Sequence, residues 1–140
     1  MTKKIILIFT SLYCISSFAS DWQQITSTET SVIAVDKQSI TTSKGFRNRK
    51  AWITYDSTVA KLTTGYPAKP YFSMVQLEYF DCSERTAAAV QQIAYSGQTR
   101  TGEIVKVLNI PLSAAEFTEV VPDSVGEATL AYVCSAKVSR

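Results

Sequence analysis

The feature that most restricts what this chain can fold into is a run that ends in a cysteine, Val75-Gln-Leu-Glu-Tyr-Phe-Asp-Cys82. Val75, Leu77 and Tyr79 alternate with Gln76 and Glu78, which is the period of a strand with one buried face. Phe80 interrupts the polar set, so part of the second side must also be covered. The best cover is the C-terminal stretch, residues 117–138, because it carries Cys134. A bond between Cys82 and Cys134 would fasten that stretch to the strand. Two separate buried thiols are the alternative.

The choice between them depends on compartment. Met1-Thr-Lys-Lys4 is short and basic, residues 5–15 are apolar and uncharged, and Ser17-Phe18-Ala19 places small residues at −3 and −1 of a cleavage site. This is the pattern of a secretory signal peptide, residues 1–19, with cleavage after Ala19 or else after Ser20. The apolar run is too short for a span, which needs about twenty residues. Cys14 lies inside it, and Ser11-Leu12-Tyr13 puts no small residue directly before it, so lipidation is not expected and Cys14 leaves with the leader. The mature chain, residues 20–140, then keeps two cysteines in an oxidising compartment, where such a pair is usually bridged. The bridge would close a loop of about fifty residues, worth ~4 kcal/mol in the chain-entropy account.

Processing also changes the charge argument. The full chain carries 14 basic and 12 acidic side chains. Loss of Lys3 and Lys4 brings the two into balance, so the basic character belongs mostly to the leader. Neither nucleic acid nor a membrane surface is implied as a partner. About 121 mature residues fit one domain and bury roughly two thirds of the unfolded surface.

Taken in order, residues 22–26 alternate weakly, and residues 30–35 are rich in β-branched side chains and read as a strand. Asp36-Lys37 is a turn, residues 39–42 are a further short strand, and Lys44-Gly45 is a second turn. Residues 46–55 form a longer strand that starts polar and ends apolar. Residues 56–70, with Gly65-Tyr66-Pro67 and Pro70, read as a long connection, functional or mobile. Residues 71–82 are the central strand. Residues 85–95 are ambiguous: Ala87-Ala88-Ala89 suits a helix, yet no amphipathic face is visible and the flanking segments are strands. Residues 103–110 are nearly continuously apolar, which implies burial on both faces or an interface, such as a homodimer contact. Ser124 and Glu127 form a capping box at the start of a helix. On that helix Leu130, Val133 and Cys134 share a face, and Lys137 and Arg140 suit its C-terminal dipole. A final strand is the alternative, since residues 129–133 also alternate.

The chain has no histidine. This removes the usual general base and the commonest transition-metal ligand. No phosphate-cradling loop or dinucleotide fingerprint is present, so no catalytic residue, metal or cofactor is expected. One charged cluster stands out: Lys44, Arg47, Arg49 and Lys50, with Phe46 and Trp52 alongside. It suits an acidic segment of a partner or a sulfated glycan; a solvated strand end that protects a sheet edge is the plainer reading. Tyr66 and Tyr71 offer a second surface, either an interface or ordinary loop packing.

The order of several short motifs resembles the bacterial surface-adhesin protein E family. These are Trp22 after the leader, Val35-Asp-Lys-Gln-Ser-Ile40, Trp52, Leu77-Glu-Tyr-Phe-Asp-Cys82, and Val120-Val-Pro-Asp-Ser-Val-Gly-Glu127 leading to Cys134. The resemblance implies an α+β fold: an antiparallel sheet of about six strands with a C-terminal helix laid on it and tethered by the disulfide. It favours strand for residues 85–95. Phe117 stands where the family pattern has tryptophan, and residues 96–102 are only partly glycine-rich. The resemblance further implies an exported binding module of the periplasm or outer surface, contacting a host extracellular matrix or serum protein. A periplasmic structural or accessory protein of the same fold is the alternative.

Overall fold

A computed structural model describes residues 19–43 and 48–138. The leader expected over residues 1–19 lies almost wholly outside the described residues, as do Lys44, Phe46, Arg47 and Arg140. Eight strands and one helix follow in order: β1 (Trp22–Ser27), β2 (Ser31–Asp36), β3 (Thr41–Thr42), β4 (Asn48–Leu62), β5 (Pro70–Asp81), β6 (Thr86–Tyr95), β7 (Ile104–Asn109), β8 (Thr118–Glu119) and α1 (Val125–Ser135). The strands form one antiparallel sheet in the order β1-β2-β4-β5-β6-β7, with β3 beside β4 and β8 beside β6. The expected architecture of a β-sheet carrying a C-terminal helix is therefore the observed one.

Local chemistry sets the turns. Between β1 and β2 the Thr28 hydroxyl accepts from the Ser31 N–H at 3.1 Å. Between β5 and β6 one Asp81 carboxylate oxygen accepts from the N–H groups of Ser83 and Glu84, both at 3.0 Å, and Arg85 takes a positive φ of 54°. Short polar side chains in such positions close a turn on their own backbone.

Helix α1 begins as the capping box requires. The Ser124 hydroxyl accepts from the Glu127 N–H at 3.2 Å, and Glu127 accepts from the Asp123 N–H at 2.7 Å. The Arg85 guanidinium also pairs with Glu127. At the other end the helix stops at Ser135, short of Lys137. The charge at its C-terminus comes instead from Arg49 of β4, whose guanidinium donates to the carbonyls of Val133 and Ala136, both at 2.6 Å. The disulfide Cys82–Cys134 joins the end of β5 to the last turn, with Cα atoms 5.7 Å apart.

The core lies under this helix. Leu130 and Val133 pack with Ile33, Val35, Ile40, Ala51, Ile53 and Phe80. The cover expected on the Phe80 side of the central strand is thus the C-terminal helix, and that side, not the Val75 side, holds the main core. The helix covers the face of Gln76, Glu78 and Phe80, and Phe80 is 0% exposed. Val75, Leu77 and Tyr79 face the other way. Alternation identified the strand, and the large ring that interrupts it, together with the disulfide, marks the side on which the helix lies.

Two further expectations change, and the ambiguous stretch resolves as the resemblance implied. Residues 56–62 are strand, not connection, since the β4–β5 ladder resumes at Lys61↔Tyr71 after an irregularity beyond Asp56. Only residues 63–69 turn, with Tyr66 fully exposed at the tip. Residues 86–95 are strand despite their alanines, because pairing with β5 outweighs a propensity of a few tenths of a kcal/mol per residue. Strand β7 is not buried on both faces: it is the sheet edge, and Ile104 and Val107 are more than half exposed.

Two measurements test this scaffold. Replacing Cys82 and Cys134 together by alanine is expected to lower the unfolding free energy by about 2–4 kcal/mol in urea. Arg49→Met removes both helix-end hydrogen bonds and is expected to cost about 1–3 kcal/mol, with the disulfide still formed.

Candidate binding cleft on the uncovered sheet face

The face opposite α1 carries the residues that alternate with the core. Register sets Thr54 beside Val75 and Val75 beside Ile93, then Ser73 beside Tyr95. Trp52 lies on the same face, two residues before Thr54. At the edge, Val107 pairs with Ile93 and Ile104 with Tyr95, so the two exposed side chains of β7 extend this apolar surface. Trp22, at the start of β1, closes the other side.

The turn between β6 and β7 folds back over this face. Ser73 Oγ donates to the Gly97 carbonyl at 2.6 Å and accepts from the Arg100 N–H at 2.9 Å. Gln98 Nε2 donates to the Ser57 carbonyl at 3.1 Å, and the Thr99 N–H donates to Asp56 at 2.6 Å. These bonds hold Thr99 and Arg100 at positive φ, 51° and 62°. Such a conformation is unfavourable for a β-branched residue and costs of order 1–3 kcal/mol unless its surroundings over-determine it. Glycine is needed at both ends of the turn. A Cβ on Gly97 would sit 2.5 Å from Thr101 Oγ1, and Gly102 has φ 76° with Ser96 Oγ 2.4 Å from the place of a Cβ.

The turn delivers Arg100 across the sheet. Its Cζ lies 4.6 Å from the centroid of the Trp22 ring, within the range of a cation–π contact. Its Nη1 donates to Thr54 Oγ1 at 3.3 Å. No carboxylate among the described residues is within ion-pair distance of it. Trp22, Trp52, Tyr95, Val75 and Ile93 wall a cleft of about 300 Å³, with Arg100 at its side. Asp36 also lines it, and Asp36 Oδ1 accepts from the N–H groups of Asp21 at 3.0 Å and Gln38 at 3.1 Å. Both tryptophans of the chain are in this one site. Flat aromatic walls beside an arginine can stack a planar group and hold an anion, and these residue types dominate binding hot spots.

The charged cluster read from sequence is divided by the sheet. Arg49 points to the helix side and is engaged at its end; Lys50 is half-buried on the cleft side, opposite Tyr79. Lys44 and Arg47 lie outside the described residues. Trp52, noted beside that cluster, is a wall of the cleft. Tyr71 lines a smaller recess with Tyr55, Phe72 and Met74. Sequence reading missed Arg100, Tyr95 and the stacking role of Trp22. The pair Ser96-Gly97 and Thr101-Gly102 marked the turn, but nothing local shows across which strands it folds. Among the described residues there is no group of three metal-ligating side chains, and no helix is long and apolar enough to cross a membrane.

Comparison with known proteins places this fold. The family profile described as surface-adhesin protein E matches residues 22–135. No curated protein matches the chain. Among solved structures, Haemophilus influenzae protein E is 14% identical, with a TM-score of 0.56 over 85% of this chain and 87% of that one. A second crystal form is 15% identical, with a TM-score of 0.52 over 74% and 80%. Protein E from non-typeable Haemophilus influenzae is 12% identical, with a TM-score of 0.56 over 86% and 79%. At such identities the likeness shows the fold alone, so the chemistry must be read from this chain's own side chains.

One ionisable group on the helix side is unusual. Glu78 is buried between its strand neighbours Ala51 and Ala89, and it accepts a hydrogen bond from Tyr55 Oη at 2.7 Å. Burial pushes its carboxyl up to about 7, against the opposing pull of the Tyr55 hydroxyl. Burial, and then the neighbouring carboxylate, hold the Tyr55 phenol well above its usual range. Between the ordinary carboxyl value of 4.5 and about 7 the folded protein therefore binds more protons than the unfolded chain. Stability must fall as pH rises through that window. Urea unfolding is expected to show a loss of about 2–3 kcal/mol between pH 5 and pH 8, flattened in Glu78→Gln, whose amide needs no proton.

Proposed function

The chain belongs to the surface-adhesin protein E family, and from that premise we propose that it is an exported binding module that contacts a host extracellular matrix or serum protein. The family match over residues 22–135 carries this reading. In the same proposal residues 1–19 are removed on export, residues 20–140 act as one domain without catalysis, and the mature chain starts at Ser20.

The cleft on the uncovered face is where contact is made. Trp22, Trp52, Tyr95 and Arg100 are clustered on a sheet that the helix and disulfide brace from behind. A rigid aromatic surface loses little side-chain entropy on binding, which favours affinity. The exposed Ile104 and Val107 widen the apolar area beside it. Lys50, with Lys44 and Arg47 close to it in the sequence, supplies positive charge for an acidic region of the same partner. Arg49 contributes by holding the helix.

Protease shaving of intact cells tests the placement. Peptides of the mature chain are expected among those released, with a periplasmic control protein untouched. Protection until the outer membrane is opened would instead select the periplasmic accessory reading. Immobilised matrix and serum proteins are expected to retain the wild type, and Trp52→Ala and Arg100→Ala are each expected to weaken that retention at least tenfold, about 1.4 kcal/mol or more.

A further inference from the structure

Arg100 is held in place without a counter-ion. Its guanidinium is stacked on Trp22 and tied to Thr54, which fixes the plane of the fork. No carboxylate among the described residues pairs with it. A half-buried, oriented guanidinium with unused donors is a receptor for a carboxylate, because its charge-assisted hydrogen bonds are strong and their geometry is already set. The strained backbone at Thr99 and Arg100 is held by four hydrogen bonds to β4 and β5, and Gly97 and Gly102 make the turn possible. This is more organisation than a solvated surface arginine requires.

The surroundings narrow the ligand further. Trp22, Trp52 and Tyr95 present flat apolar walls, and Val75 and Ile93 form apolar floor. About 300 Å³ is the lower end of small-ligand pockets, so the site takes one large side chain and its neighbour, not a folded surface. Asp36 in the lining disfavours a polyanion, so a long sulfated glycan or nucleic acid is a poor fit. Lys50 on the same face adds one cation beyond Trp52. We propose that the cleft recognises a linear peptide segment in which an aromatic residue sits next to aspartate or glutamate: the ring enters between the tryptophans and the carboxylate pairs with Arg100. This rests on the cleft being the contact surface, as proposed above.

The two tryptophans make the test direct, since all indole emission comes from this site. The full mature protein is titrated with three heptapeptides in a Gly/Ser background, centred on Glu-Tyr-Glu, Gln-Tyr-Gln and Glu-Ala-Glu. The first is expected to shift the emission, to bind at least tenfold more tightly than either of the others, and to weaken with added salt. Arg100→Lys keeps the charge but loses the fork, and is expected to reduce the preference for Glu-Tyr-Glu at least fivefold while its urea midpoint stays near that of the wild type. Equal binding of the three peptides, or no response up to millimolar concentration, would overturn the inference. The wild-type series decides this even if the variant does not fold. Retention on immobilised host proteins is scored separately. Retention without peptide preference overturns the ligand chemistry and leaves the adhesin reading. Peptide preference without retention supports the ligand chemistry and removes host adhesion.

Discussion

Helix α1 presses Leu130 and Val133 onto Phe80 and the apolar face of β2 and β4, and the rest of the molecule is arranged around that contact. An eleven-residue helix is marginal in water by itself. Here it is held at three points: a side-chain cap at Ser124, the Cys82–Cys134 bond in its last turn, and Arg49 reaching its final carbonyls. Each works across a long sequence separation or at an end, where an isolated helix would fray. The buried rings and branched side chains contribute the larger part, at roughly 1.5–3 kcal/mol for each large apolar side chain taken from water.

This contact uses one face of the sheet and frees the other. Because strand side chains alternate, every core residue on β4 and β5 is followed by one that faces away. Ile53 in the core therefore implies Trp52 and Thr54 outside it, and Phe80 implies Tyr79. The uncovered side is where Trp22, Trp52 and Tyr95 gather, and the turn over residues 96–102 lays Arg100 across them. The division also explains why Arg49 and Lys50, adjacent in sequence, have separate surroundings: one caps the helix and the other stands on the uncovered side. Glu78 shows the reverse side of the same rule. It alternates as a polar residue should, yet it is buried on the helix side of the sheet beside Ala51, Ala89 and Tyr55, which pushes its carboxyl up to about 7.

What could be read from residues alone was whatever depends on near neighbours. Period two marked the central strand, β-branched side chains marked β2, and a continuous apolar run marked β7. Ser124 with Glu127 marked the helix start. Asp36-Lys37 and the two glycine-bearing pairs near residue 100 marked turns. The two cysteines of an exported chain pointed to their own pairing. The motif order pointed to the family, and that resemblance read residues 85–95 as strand where alanine propensity alone suited a helix.

The tertiary structure decided the rest, because it depends on which groups meet across strands. Alternation is symmetric, and only the Phe80 interruption hinted at which side the helix covers; that the Phe80 side holds the main core was decided by packing of its ring with Leu130 and Val133 and by the bond at Cys82. Continuous apolar character in β7 could not distinguish a buried strand from an edge, since both exclude charge; its place at the end of the order left Ile104 and Val107 exposed. Trp22 and Arg100 are seventy-eight positions apart by their numbers, and no local pattern joins them. They meet because the β6–β7 turn is pinned to Asp56, Ser57 and Ser73, so its path is set by hydrogen bonds to other strands. Near-neighbour patterns in the sequence by themselves determined most of the strands and the start of the helix; long-range packing alone decided which face would be core and which would stay uncovered.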